Sequence, residues 1–136
     1  MIHQANNETR HIYMDVPHSA HPQPSWYGES IGHYDGGELV VDTVGLNDRS
    51  FVDDRYSVPH TTQLHVIERL KLLNDGILQV IFTVDDPGAF NAPWSGMVRY
   101  HHQRAPATLF EEPCAENNLE NLSNFVKTPV AAKADF

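Results

Sequence analysis

The segment Leu64–Phe82, LHVIERLKLLNDGILQVIF, constrains this chain more than any other. Side chains alternate faces along a strand, so Leu64, Val66, Glu68, Leu70 and Leu72 point one way. Gln63, His65, Ile67, Arg69 and Lys71 point the other way and read as the wetter row. In the second arm Leu78, Val80, Phe82 and Val84 share a face. A two-residue loop would set Glu68 beside Ile81 or Thr83 and split the apolar rows. A three-residue loop, Asn74-Asp75-Gly76, pairs Leu73 with Ile77 and sets Glu68 opposite Phe82. Gly76 then supplies the left-handed residue that such a loop needs. Only this register merges the apolar rows on one face, and it aims the Glu68 carboxylate into an apolar interior.

The rest of the chain is mostly strand-like. RHIYMD is a candidate first strand, and PHSAHPQPSW is a loop enforced by Pro17, Pro22 and Pro24. ESIGHY and ELVVDTV flank Asp35-Gly36-Gly37 as a second hairpin. A long connection carries Phe51 and Tyr56. After the Leu64–Phe82 hairpin come a turn-rich DDPGAFNAPW and two short strands, SGMVRYHHQ and TLFEE. Leu119, Leu122, Phe125 and Val126 recur at helical spacing, with Asn117 or Asn118 as cap and Pro129 as stop.

About seven or eight strands joined largely by short turns imply an antiparallel up-and-down barrel or half-barrel, lipocalin-like, with a short C-terminal helix. A β-sandwich is the alternative. Length allows one domain over 1–136, with a core at about 8–114 and the helix and tail in 115–136. A helix so short must dock, on its own barrel or on a second copy, which makes a homodimer the expected assembly.

A net charge of −9 argues against nucleic acid and anionic membranes as partners. No apolar run is long enough to span a bilayer as a helix. The opening MIHQANNETR is polar and reads as no signal peptide, so the chain as it stands reads as cytoplasmic, or as exported if a signal has been removed. Cys114 is the only cysteine and sits among carboxylates, which disfavour a reactive thiolate. No glycine-rich phosphate loop or nucleophile elbow occurs, so no cofactor is expected.

Glu68 is the sharpest chemical signal. Burial disfavours a carboxylate and would suit Glu68 as a general acid or base. The alternative is a buried ion pair with an arginine such as Arg99, or a hydrogen bond to a tyrosine. Asp42 shares its row with Val40 and Val44, against Leu39, Val41 and Thr43, and alternation alone does not say which row faces inward. His60, after Pro59, falls where a barrel mouth would be, with an imidazole suited to proton transfer. Tyr100 and His102 share a strand face, and Tyr13, Trp26, Phe82 and Trp94 supply ring surface for a substrate.

Nine histidines raise the question of metal. His18-x-x-His21 could converge in its loop, but no third ligand is evident. His101 and His102 point to opposite faces, as do His60 and His65. The best set would be His60, His102 and Glu68 or Asp42, and its spacing matches no recognised metal motif.

The motifs IYMD, HPQPSWYGESIGHYDGGELVVDTVGLND, PHTTQLHVIERL and VDDPGAFNAPW, in this order, resemble a family of uncharacterised and often exported bacterial proteins. The resemblance spans roughly Arg10 to Cys114. It implies a shared fold and names no reaction. The matching positions are Asp15, Trp26, Ser30, Asp42, Asn47, His60, Glu68, Arg69, Asp86 and Trp94. The chain departs from the pattern at Asp15-Val16-Pro17, where members usually carry Asp-Gly-Arg, and at Phe51, where they usually carry Trp.

These readings converge on a cofactor-free acid–base enzyme: an isomerase, dehydratase or cyclase acting on a small apolar molecule. Glu68 and His60 would move protons, and Asp42, Tyr100 or His102 would orient the substrate. A ligand carrier and a mononuclear metalloenzyme are the alternatives.

Overall fold

A computed structural model describes residues 9–53 and 56–102. They contain eight strands: β1 (Tyr13–Met14), β2 (Glu29–Asp35), β3 (Glu38–Val44), β4 (Phe51–Asp53), β5 (Val58–Pro59), β6 (His65–Leu72), β7 (Ile77–Asp85) and β8 (Trp94–His101). Six of them form one sheet in the order β1-β2-β3-β6-β7-β8, and β4 pairs with β5 in a small second sheet.

The two hairpins follow from their turns. Gly36 and Gly37 both have positive φ, the requirement of a tight turn joining twisted strands, and β2 closes on β3 with Asp35 opposite Glu38. At the end of β6 the Leu73 N–H donates to the Ile77 carbonyl at 2.9 Å and Gly76 takes φ 76°. The three-residue loop therefore forms, and Glu68 lies opposite Phe82 as the merged apolar rows require.

Register then decides every face. Glu68 pairs with Val41, and Thr43 pairs with Val66 and Ser30. The inner face thus carries Leu39, Val41 and Thr43 from β3, and Asp42 belongs to the outer face. Val41, Leu70 and Val80 form the buried core, with Ile12, Leu39 and Leu78 packed against it. Gly32 makes room for this packing, because a Cβ there would meet Ile12 and Met14 at 2.8 and 2.9 Å.

The mainly β expectation holds, but the closed antiparallel barrel does not. Among the described residues β1 and β8 are the edges of a sheet that does not close, and β1 runs parallel to β2. The physical reason lies in β1, which is only two residues long. Pro17 cannot donate a ladder hydrogen bond, and Asp15 turns to φ 56°, so the first strand is too short to bridge to the last. The TLFEE strand, Cys114 and the helix over Leu119–Val126, with the dimer contact assigned to it, lie outside the described residues.

Candidate functional site

The inner face of β6–β8 is the floor of a cleft of about 350 Å³. Val66, Glu68, Val80, Phe82, Val84, Val98 and Tyr100 line the floor, and Leu46, Ser50, Phe51, Val52, His60 and Leu64 line the rest. Gly96 shapes the floor: it pairs with Phe82, whose ring lies over the glycine where a Cβ would stand. Phe82 and Phe90 each meet Trp94 edge-on, with centroids 5.9 Å apart.

Local sequence carries Ser50 over the sheet. Gly45 ends β3 at φ 69°, and the chain is then clipped to Ser25, whose N–H bonds the Gly45 carbonyl and whose carbonyl accepts from Asn47. The Asn47 side chain takes the Arg49 N–H at 3.0 Å and turns the chain into Ser50 and β4. Ser50 Oγ then lies 3.0 Å from His60 Nε2.

His60 is buried, with 6% of its surface exposed. Its Nδ1 lies 3.1 Å from the Thr61 carbonyl, which can only accept, so Nδ1 carries the hydrogen. In the neutral ring Nε2 is then a lone pair, and the Ser50 hydroxyl donates to it. Asp86 holds Thr61 in place. One of its oxygens accepts from the Thr61 N–H and the other from Thr61 Oγ1, each at 2.6 Å, and the Gly88 N–H adds a third donor at 3.0 Å. Burial alone would push the Asp86 carboxyl up. The Thr61 and Gly88 donors, with nearby His60, outweigh that and hold it below the usual range. A second cleft of about 340 Å³ also includes His60 in its lining, with Pro59, Thr61 and Phe90 among others.

Glu68 faces the first cleft beside a cation. Arg10 Nη1 approaches Glu68 Oε2 to 2.6 Å, both side chains less than one-fifth exposed. No donor is aligned with that oxygen, so the contact is an ion pair rather than a directed hydrogen bond. Arg10 Nε donates to Ser30 Oγ at 3.1 Å and Nη2 to Thr43 Oγ1 at 2.6 Å. The partner is thus Arg10, not Arg99, which bonds Gln79 instead.

Of the residues read from sequence, Glu68, His60, Phe82 and Tyr100 meet at the cleft. Asp42 does not: on the outer face it bonds His18 at 2.9 Å and His65 at 2.8 Å. Tyr13 and Trp26 are each 59% exposed and line neither cleft. Trp94 supports Phe82 from the side, and His102 lies exposed beyond β8. The metal set of His60, His102 and a carboxylate is therefore not assembled. Among the described residues no group of three or more His, Cys, Asp or Glu side chains has the geometry to hold a metal ion.

Sequence reading missed Ser50 and Arg10. Arg10 had a signal, being the cation in the alternating row Arg10, Ile12, Met14. Ser50 had none, since NDRS reads as a polar loop. No protein-family model matches the chain, and no curated protein or solved structure is similar enough to count as a relative.

Proposed function

We propose that this protein is an enzyme that takes a small, largely apolar molecule into the cleft over β6–β8 and moves a proton on it, with His60 as the base. One observation carries the reading. His60 and Ser50 both line an apolar cleft, with His60 Nε2 bonded to the Ser50 hydroxyl and Nδ1 fixed on a backbone carbonyl. A base held in one tautomer, beside a cleft that can hold a substrate, is the arrangement proton transfer requires. Glu68 lines the floor with Arg10 against it, and the carboxylate can orient a polar group on an otherwise apolar substrate. The lipocalin-like use of one sheet face to hold one small ligand does not depend on barrel closure.

The test starts from protein purified from its own host, with the bound small molecule identified by native mass spectrometry. That molecule is incubated in D2O with the wild-type protein and with His60→Gln. Wild-type protein should exchange deuterium into it or convert it, and His60→Gln should bind it and do neither. A ligand that stays unchanged and unexchanged with both proteins would favour a carrier, the second reading that the apolar walls support.

A further inference from the structure

We infer that Ser50 is a nucleophile and that the cleft takes a small ester with an apolar acyl group. The inference deepens the proposed role of His60 and rests on it. It adds a covalent step at a serine that no sequence motif marks.

The geometry is a relay with one direction. The Thr61 carbonyl accepts from His60 Nδ1–H at 3.1 Å, so the hydrogen on Nε2 must come from elsewhere. The atom facing Nε2 is Ser50 Oγ at 3.0 Å. Serine is a weak nucleophile until a base takes its proton, and a nucleophile, a base within hydrogen-bond reach and a third group orienting the base form the working set. Here the third group is a backbone carbonyl, and Asp86 is a positioning residue that acts through Thr61. A serine–histidine contact buried in a core would have no access to a substrate. This pair instead borders a cleft whose other walls include Phe51, Phe82 and Val84, an apolar surface of a size to hold a short acyl chain.

The chemistry closes with water as the co-reactant. Ser50 Oγ bonds to the ester carbonyl carbon while its proton passes to His60 Nε2. The carbon–oxygen bond to the alcohol then breaks, and the leaving oxygen takes that proton. Water attacks the acyl-serine carbonyl and gives a proton to Nε2, the bond to Oγ breaks, and the proton returns to Oγ. The net reaction is ester plus water to acid plus alcohol, with Ser50 and His60 regenerated.

The probes are a fluorophosphonate, which labels activated serines, and p-nitrophenyl butyrate. Intact-mass analysis should show one adduct, mapped to Ser50. Ser50→Ala should be unlabelled there, and His60→Gln should be labelled about 100-fold more slowly, the lower end of what a positioned base supplies. Butyrate ester hydrolysis should fall at least as far in both variants, with circular dichroism unchanged. Ser50→Cys guards against a merely structural serine: iodoacetamide should alkylate its thiol faster than it alkylates the thiol of Ser50→Cys/His60→Gln. An unlabelled Ser50 in folded wild-type protein, wild-type ester hydrolysis by Ser50→Ala, or equal alkylation rates would overturn the nucleophile. If His60-dependent deuterium exchange into the bound ligand then persists, the proton-transfer reading stands without it. If His60→Gln matches wild type in the exchange assay as well, both fall.

Discussion

The two faces of the sheet use the same side chains to opposite ends. On the outer face His18 lies between two carboxylates, with Nδ1 2.9 Å from Glu29 and Nε2 2.9 Å from Asp42. Asp42 also takes His65 Nε2, and Ser19 binds both oxygens of Glu29. Both nitrogens of His18 face acceptors, so the network favours the imidazolium. Burial pushes His18 down, but its bonds to Asp42 and Glu29 win and raise it above its ordinary value of 6.5. On the inner face His60 has a carbonyl at one nitrogen and a hydroxyl at the other, and among the described residues no carboxylate bonds the ring. The lesson concerns partners rather than residue type. A histidine whose two nitrogens are both claimed by carboxylates closes a loop onto a sheet. One whose second nitrogen meets only a hydroxyl at a cleft keeps a lone pair for chemistry.

The largest effect should come from breaking the support under His60. Asp86 is 1% exposed and accepts from three donors. Asp86→Ala leaves those donors without an acceptor and should cost about 4 kcal/mol of stability. Urea denaturation measures it, and a loss below about 1 kcal/mol would show that water replaces the carboxylate.

The Arg10–Glu68 pair comes next. Arg10→Met leaves the part-buried Glu68 carboxylate without its cation and should cost about 2 kcal/mol. Arg10→Met/Glu68→Leu should recover most of that loss, and the coupling read from the double-mutant cycle measures the pair. If the double variant is no more stable than the single one, Ser30 and Thr43 hold Arg10 for reasons unrelated to its charge.

How much of this was legible depends on whether a feature is periodic. Gly76 and the alternating rows fixed the Glu68–Phe82 register, and from that register the inner face of β6 and β7 follows. Asp42 was ambiguous because both rows of β3 carry valines, and only pairing with β6 separates them. Barrel closure does not follow from the number of strands, which says nothing about whether the first strand is long enough to meet the last. Arg10 and Ser50 reach Glu68 and His60 from loops or near edges, through contacts set by chain path rather than by spacing. The His18–Asp42–His65 network was hidden for the same reason: His18 arrives from a proline-rich loop that no period describes.

The smallest prediction tests the outer face by pH. His18 has a raised folded-state pKa, so its contribution is complete below 6.5, its ordinary value, and is lost as pH rises through the higher folded value. Glu29 has the opposite sign. Ser19 and His18 hold its carboxyl below the ordinary 4.5, so its contribution is present above 4.5 and lost as pH falls through the lower folded value. At pH 5.5 Glu29 is ionised and His18 is charged, and the network is whole. Above its raised folded value His18 is neutral and the network is weakened. The groups facing the ring are Glu29 on β2, Asp42 on β3 and, across Asp42, His65 on β6. The side chains are about one-quarter to one-third exposed, so solvent screens the interaction and makes this the smallest of the effects. Comparing wild type with His18→Gln at pH 5.5 and pH 8.5 removes the contributions of every other titrating group. The stability difference between them should be larger at pH 5.5 than at pH 8.5. A difference that stays constant or grows with pH would mean that His18 holds its loop as a neutral ring, and the contrast with His60 would lose its outer half.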